Sequence, residues 1–416
     1  MAASASDRSS SLPSLGQLQG ISLVVGAIAV AAALLLALLM GSEGFFQSYL
    51  LAFLFWLGLS LGCLVMLFVQ HLAGGSWGAL IRRPLEAAVA VLPVLAILFI
   101  PLLFGLGSLY EWTHAEYIET HPLVGAKSSY LNVPFFIVRA VLYFAIWIGG
   151  ALYFLRMSNR QDRELNNSGS IAYRMKSLSA AWIIIYVMTM TFAGIDWGMS
   201  LTPTWFSGIY SVILMIGQAI NATAFIIVVL ILLARAVPAV NELLTAKRLQ
   251  DLGNFLMAFI MFWAYVSFSQ LIILWSNNTV ETSPWYVVRL NTDWAYLSAF
   301  LLVFGFFAPF AILFSRWVKR KRAALMTVAI WAIIVRLVDL FWIIVPSFDR
   351  SGSQLLLLDV LLVVGLGGLW LAAFTRSLAS RPILPLHDPR LTPDSHALHT
   401  VPSLHGKPLP KGTDHA

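Results

Sequence analysis

The chain is poor in charged residues and in cysteine. Only 11% of its 416 residues are charged and 59% are hydrophobic, whereas about a quarter of an ordinary soluble domain is charged. A soluble fold of this size could not bury so much apolar surface, so the composition indicates a protein whose solvent is lipid. The single cysteine, Cys63, excludes an internal disulfide and an iron–sulfur cluster held by this chain alone.

Histidine is scarce in the apolar segments. His71 is the only histidine close to one, because His114 and His121 fall between two segments and the others follow the last. A membrane cytochrome b holds haem with paired histidines inside its bundle, so the sequence argues against haem bound among these segments. It also contains no phosphate-binding loop and no Ser–His–Asp arrangement near the apolar runs. We expect this chain itself to bind no metal or cofactor.

Ten apolar runs are each long enough to cross the hydrocarbon of a bilayer, which takes about 20 helical residues. They predict an all-α integral membrane protein with a ten-helix domain over 21–376, a segment 1–20 before it and a Pro- and His-rich tail, 377–416, after it. The predicted spans are Ile21–Met40, Tyr49–Leu72, Ala87–Gly107, Pro134–Leu155, Leu178–Ser200, Phe206–Ala234, Asn254–Trp275, Trp294–Phe314, Ala323–Val345 and Gln354–Phe374.

Basic residues are concentrated in alternate loops. The loops after spans two, four, six and eight are rich in Arg and Lys, whereas the opposite loops contain only Lys127, Arg289 and Arg350. We call these the basic side and the aromatic side, since the long loops 108–133 and 276–293 of the second are rich in Trp and Tyr. The positive-inside rule places the basic side, both termini and the tail in the cytoplasm.

The sequence also indicates an internal repeat of four spans. An arginine and an acid three residues apart open spans three and seven, and an aspartate precedes a proline by seven residues at the ends of spans five and nine. These residues are Arg83 and Glu86, Arg248 and Asp251, Asp196 and Pro203, and Asp339 and Pro346. We therefore predict two four-helix bundles, spans two to five (about 49–200) and spans six to nine (about 206–345), related as parallel repeats, with spans one and ten peripheral.

Several ionisable residues lie within the predicted spans, where charge is costly and usually faces the protein interior. Arg139, Asp196, Asp339 and Asp359 fall in the third nearest the aromatic side, and Arg336 lies one turn deeper than Asp339 on the same helical face. They are candidates for a proton relay of carboxylates beside an arginine. The alternative is a static ion pair that locks helices together.

Two further groups extend this candidate path. His71 and Glu86 lie near the turn between spans two and three and are candidates for proton entry, or alternatively for a headgroup contact or a loop cap. Gln218 and Asn221 on span six and Gln270 on span seven are candidates for a hydrogen-bonded wire between the two sides. Interhelical hydrogen bonding is the alternative for these three amides.

Two long segments resemble signatures of a known family. Residues 251–270, DLGNFLMAFIMFWAYVSFSQ, and residues 196–207, DWGMSLTPTWFS, are similar to those of the NrfD-like membrane subunits of bacterial alternative complex III. The resemblance runs from about span two through span ten, and the chain is more similar to the smaller of the two such subunits. The sequence departs from the family pattern at Thr202 and Thr204, where an acid and a histidine often flank the proline.

The resemblance implies a subunit of a menaquinol:electron-acceptor oxidoreductase in the bacterial cytoplasmic membrane. It implies partner subunits, namely a larger NrfD-like quinol-binding subunit, an iron–sulfur subunit and c-type haem subunits, with menaquinone as the diffusible redox molecule. A proton path or a second quinone site is the role that it implies for this chain. A purely structural subunit and a secondary transporter are the alternatives that the sequence leaves open.

Overall fold

The computed structural model describes residues 13–40, 42–164, 167–277, 279–280, 283–348, 353–385 and 388. Most of these residues are helical and none of them forms a strand. Ten helices are long and apolar enough to cross a membrane, which makes the chain a multi-pass membrane protein and confirms the ten predicted spans. Spans one to ten are Leu15–Leu39, Glu43–Ala73, Ser76–Phe104, Val133–Arg163, Ser168–Leu201, Tyr210–Ala236, Ala246–Asn277, Trp294–Phe314, Arg322–Ser347 and Leu356–Ala379.

Several helices extend beyond their apolar runs on the basic side. Span three begins at Ser76 and not at Ala87, because the turn before it is only Gly74 and Gly75, whose positive φ angles of 68° and 84° suit glycine. Polar side chains at these helix ends extend to the headgroup layer or bond to one another, so the backbone can stay helical there. Glu86 therefore lies inside a helix, which corrects the prediction that it lies near a turn.

Two spans are irregular for reasons visible in the sequence. Span three consists of two helices, Ser76–Val89 and Leu92–Phe104, and Pro93 occupies the first turn of the second helix, where a missing N–H costs nothing. Span eight contains a π-helical segment, Leu301–Phe307, shortly before Pro309. Such wide turns accompany a local break in the regular hydrogen-bond ladder.

The loops of the aromatic side are folded into short helices. Between spans three and four these are Leu106–Leu109, Glu111–Thr113, Ala115–Thr120 and Pro122–Gly125, and between spans seven and eight there is Ser283–Asn291. Trp285 of the last stacks on Trp205 with ring centroids 4.7 Å apart. Buried aromatic rings thus anchor these loops to the ends of the spans.

Spans two and six lie at the centre of the described helices and pack against each other. Gly58 and Gly62 of span two, one helical turn apart, face Gln218 of span six, and a Cβ at Gly62 would overlap the Gln218 carbonyl oxygen. Small residues at this spacing let two membrane helices approach closely. Span two also contacts spans three, five and ten, span six also contacts spans five, seven and nine, and spans one and ten pack on each other.

The described part of the tail lies against the helices. Span ten continues to Ala379, Ile383 and Leu384 pack on the hydrophobic core, and Asp388 is buried. At the other end, the first helix begins at Pro13, inside the predicted N-terminal segment 1–20. Residues 1–12, 386–387 and 389–416, with all the histidines of the tail, lie outside the described residues.

Candidate functional site

The first ion pair within the membrane joins spans four and five. Arg139 Nε donates to Asp196 Oδ2 at 2.8 Å and Arg139 Nη2 donates to Asp196 Oδ1 at 2.9 Å. The ion pair is therefore bidentate. Tyr143 lies one turn after Arg139, and its hydroxyl donates to Asp196 Oδ2 at 2.8 Å. Asp196 is fully buried and lies about five residues, or about 8 Å, from the aromatic-side end of its span.

All three nitrogens of the Arg139 guanidinium donate hydrogen bonds. Arg139 Nη1 donates to the backbone oxygen of Tyr130 at 2.9 Å, and its plane lies over the rings of Tyr130 and Phe135 at 3.9 and 4.4 Å. Such cation–π contacts are strongest where water is excluded. Arg139 and Asp196 are therefore fixed by hydrogen bonds and aromatic rings together.

The second ion pair lies on one helix and deeper in the membrane. Arg336 pairs with Asp339 three residues later on span nine, as the sequence spacing predicts, and both are buried. Arg336 lies about eleven residues, or about 16 Å, from the aromatic-side end of the span. A Cβ at Gly217 of span six would overlap the guanidinium carbon, so Arg336 lies flat against the backbone there.

Polar side chains of span six lie beside this second pair. Tyr186 of span five donates its hydroxyl to Gln218 Oε1 at 2.6 Å, and Gln218 Nε2 lies 3.4 Å from the sulfur of Met190. Asn221 is only 2% exposed, and its Oδ1 has no hydrogen-bond partner among the described residues. Gln218, Asn221 and Arg336 line one cavity of about 30 Å³ between spans two, five, six and nine.

A larger ionic cluster is buried at the basic side. Arg82 donates to Glu86 at 2.9 Å, to Gln161 at 2.7 Å and to Ser158 at 2.8 Å, which joins spans three and four. The cluster also contains the ion pairs of Arg83 with Glu86 and Asp162, of Arg82 with Asp388, and of Arg381 with Glu86. Three arginines face three carboxylates, so the formal charges of the cluster balance.

His71 and Ser60 lie on span two, which packs against span three. His71 is 7% exposed and its ring stacks on Phe154, with centroids 5.8 Å apart. Ser60 is fully buried and donates to the backbone oxygen of Ala88, two residues after Glu86. Gly58, two residues before Ser60 on span two, contacts Gln218. In depth across the membrane, Ser60 therefore lies between Glu86 and the polar residues of span six.

Gln270 belongs to a separate network near the aromatic side. It accepts from the Ser207 hydroxyl at 2.8 Å and donates to the Tyr286 hydroxyl at 3.1 Å. Gln218 instead bonds to Tyr186, so Gln270 and Gln218 belong to separate networks and not to the continuous wire that is one of the two alternatives from the sequence. Burial raises the pKa of Tyr286 to about 12, so this hydroxyl stays protonated at neutral pH.

Arg289 fastens an aromatic-side loop to the end of span nine. It donates to the backbone oxygens of Trp342 and Ile343 at 3.2 and 2.8 Å and lies over the Trp285 ring at 3.6 Å. Burial lowers the pKa of Arg289 to about 9, which still leaves it charged at neutral pH. A cation suits this position, because a helix end exposes carbonyl groups with partial negative charge.

The remaining predicted site residue, Asp359, is buried on span ten, whose main contacts are with spans one and two. Arg139, Asp196, Arg336 and Asp339 instead form two pairs on spans four, five and nine. The predicted candidates are thus all buried, yet they divide into several local clusters and do not form one site.

The two halves of the proposed repeat differ in detail. Glu86 is buried and paired with two arginines, whereas Asp251 is half-buried, and Arg248 donates to Ser76 and to a backbone oxygen of Leu243. Only the aspartates of spans five and nine share a common environment, since each is buried beside an arginine.

Sequence reasoning missed several residues of these clusters. Tyr143 was detectable from its position four residues after Arg139, and Ser158, Gln161 and Asp162 from their recurrence on one face of span four. Gly58 and Gly62 carry the small-residue spacing that marks a helix contact. Nothing local in the sequence indicates that Gly217 accommodates Arg336 or that Asp388 reaches Arg82.

A comparison with models of known protein families gives no match, and a comparison with characterised proteins gives none either. Among the described residues, no three His, Cys, Asp or Glu side chains lie together in a way that could hold a metal ion. The chemistry offered by the described clusters is that of carboxylates, guanidinium groups, phenols and amides. Such groups bind and transfer protons or fix helices by hydrogen bonds.

Proposed function

We propose that this chain is a membrane subunit of a menaquinol:electron-acceptor oxidoreductase of the alternative complex III type, in which it provides part of a proton path. The observation that carries the proposal is the pair Arg336–Asp339, which is buried in the interior of span nine beside Gln218 and Asn221. Ionisable groups at this depth are costly, and in membrane proteins they commonly mark ion or proton pathways. The electron carriers, iron–sulfur clusters and c-type haems, belong to partner subunits.

The proposed path crosses the protein in three stages. It begins at the basic side with His71 and Glu86, and Ser60 leads towards the central amides Gln218 and Asn221. It then reaches Arg336 and Asp339.

The last stage runs to the aromatic side by way of two phenols. Tyr210 is near enough to Arg336 for their charges to interact, and Tyr110 is likewise near Tyr210 and Asp196. The Tyr110 hydroxyl also lies 3.3 Å from the backbone oxygen of Trp197. Asp196, paired with Arg139, would then release protons on this side.

We further propose that spans two to five and six to nine form two parallel four-helix bundles, with spans one and ten outside them. The contacts of span two with spans three and five, and of span six with spans seven and nine, support this arrangement. The membrane is the bacterial cytoplasmic membrane, and the basic side, both termini and the tail face the cytoplasm. The asymmetry of Arg and Lys between the two sets of loops supports that orientation.

Menaquinone does not fit either of the two cavities beside Arg336. Their volumes are about 20 and 30 Å³, which is room for one or two waters and not for two fused rings. We therefore propose no step through a quinone bound in these two cavities, and we assign quinol oxidation to the larger NrfD-like partner.

The test is the pair of substitutions Asp339→Asn and Asp196→Asn in the assembled complex, compared with Glu119→Gln in an exposed loop. We expect Asp339→Asn to lower the number of protons moved per electron, whereas Glu119→Gln should leave it unchanged. The measurement is the proton-to-electron stoichiometry of the complex in vesicles, together with quinol turnover. Wild-type stoichiometry and turnover in both aspartate variants would rule out the path.

A structural role is the second candidate function, and the basic-side cluster favours it. Its charges are balanced, and Arg82 links span three both to span four and to Asp388. A purely structural subunit predicts that the aspartate variants lower the yield of complex but leave the stoichiometry of the surviving complex unchanged. In either case the chain should purify together with subunits that absorb at the c-type haem bands.

A further inference from the structure

Arg336 lies between two cavities. One has a volume of about 20 Å³ and also contacts Asp339; its other lining residues include Trp263, Phe304 and Trp331. The second, of about 30 Å³, is lined by Gln218, Asn221 and Met190 and does not contact Asp339. Because Arg336 is the residue that lines both, its guanidinium separates Asp339 from the second cavity.

The two cavities differ in their suitability for water. A buried water needs about 10–15 Å³ and two to four polar partners. The second cavity offers the volume and three polar side chains, of which Asn221 has an unpartnered Oδ1 although it is only 2% exposed. The first cavity is lined by aromatic and aliphatic groups apart from the ion pair, whose two charges bind each other, so it offers a water few polar partners and we expect it to be dry.

The position of the guanidinium depends on a missing side chain. Gly217 presents bare backbone to Arg336, and any Cβ there would overlap the guanidinium. The guanidinium pairs with Asp339, and Asn221, whose Oδ1 has no hydrogen-bond partner among the described residues, lines the same cavity as Arg336. The phenol of Tyr210 is a titratable group near enough to Arg336 and Arg289 for their charges to interact.

We infer that the cavity beside Asn221 binds ordered water and that Arg336 is the gate between this water and Asp339. With Asp339 ionised, the ion pair keeps the gate closed. When the guanidinium turns towards the Asn221 side of the cavity, the gate opens. A hydronium of the cavity then transfers its proton to an Asp339 oxygen, which leaves water and a neutral carboxyl group that no longer attracts the guanidinium. The gate adds a mechanism to the proposed proton path and rests on that path, whereas the water site does not depend on it.

Radiolytic hydroxyl-radical labelling of the intact complex in isotope-labelled water tests the water site, because it oxidises buried side chains that touch bound water. Met190 lines the second cavity and Met66 lines neither cavity, and both are buried at 3% and 2% exposure. We expect Met190 to be labelled several-fold faster than Met66. Equal rates would overturn the water site. In Asn221→Leu, which removes the acceptor and fills the cavity, the Met190 rate should fall to that of Met66.

Gly217→Ala tests the gate. The added methyl group displaces the guanidinium, so water should reach the first cavity and Trp263 should become labelled several-fold faster than in the wild type. Gly149→Ala is the matched control, since a Cβ at that membrane glycine meets nothing within 4 Å. Trp263 labelling that is already as fast as that of Met190 in the wild type, or that stays unchanged in a folded Gly217→Ala complex, would overturn the gate.

Labelling is measured on the resting complex and does not depend on proton transport. Normal stoichiometry in Asp339→Asn together with fast labelling of Met190 would therefore reject the proton path and keep the water site. Loss of stoichiometry in Asp339→Asn with equal labelling of Met190 and Met66 would reject the water site and keep the path.

Discussion

The two arginine–aspartate pairs within the membrane have the same chemistry and different surroundings. Arg139 and Asp196 come from neighbouring helices, are joined by two hydrogen bonds and are enclosed by Tyr130, Phe135 and Tyr143. Arg336 and Asp339 share one helix, and cavities lie on two sides of the guanidinium. A pair held by several hydrogen bonds and ring contacts keeps one geometry, whereas a pair beside open volume has room to rearrange.

The largest effect is expected for Asp196→Asn, because it leaves the buried charge of Arg139 without an anion. Breaking a buried pair in this way costs about 3–5 kcal/mol. The apparent free energy of unfolding, measured by titration with sodium dodecyl sulfate in mixed micelles, should fall by that amount. Arg139→Met combined with Asp196→Leu should recover much of the loss, since no unpaired charge then remains. A double variant no more stable than Asp196→Asn would contradict this explanation.

Tyr143→Phe should have the next largest effect on the enclosed pair. It removes one hydrogen bond to an ionised carboxylate and no bulk, which costs about 1.5–3 kcal/mol. The same detergent titration measures it. Tyr153→Phe on the same span is the control, because the Tyr153 hydroxyl has no hydrogen-bond partner among the described residues. Equal losses in the two variants would show that the hydrogen bond to Asp196 is not the cause.

Asp339→Asn should be milder than Asp196→Asn, and this difference is the sharpest test of the comparison. Arg336 lies beside a cavity with polar groups, so after the substitution it can turn to Asn221 and to water. We expect a loss of about 1–3 kcal/mol, the cost of an imperfectly replaced buried hydrogen bond. A loss as large as that of Asp196→Asn would mean that the second pair is locked as firmly as the first.

Tyr186→Phe should have the smallest effect. The Tyr186 hydroxyl donates to the neutral amide of Gln218, and such a bond contributes about 0.5–1.5 kcal/mol. The loss should be smaller than that of Tyr143→Phe in the same titration. The reverse order would indicate that the polar residues around Gln218 carry more of the stability than the enclosed pair does.

The spans and one of the two ion pairs were predictable from the sequence, for local reasons. Apolar runs of twenty residues identify a membrane helix directly, and the spacing of Arg336 and Asp339 places both on one helical face. The partner of Arg139 was not predictable, because Asp196 is 57 residues away on another helix and the rotation of each helix depends on packing. For the same reason the separation of Gln270 from Gln218 was not evident.

The helix ends at the basic side were the least predictable part of the fold. Hydropathy places the start of span three at Ala87, yet the helix starts at Ser76 and buries Arg82, Arg83 and Glu86. A hydropathy window treats each charge as exposed to its surroundings, whereas in the structure these charges neutralise one another. The ionic cluster therefore extends the helix beyond the boundary that composition alone would set.

The contact between Asp388 and Arg82 has a consequence for biosynthesis, because 306 positions separate the two residues. Arg82, Arg83, Glu86 and Asp162 form a neutral set that is complete once the fourth span has been made. Arg381 and Asp388, which also carry opposite charges, are made only after the tenth span. The early helices can thus enter the bilayer with their charges already balanced, and the residues that follow the tenth span fasten the first half of the bundle afterwards.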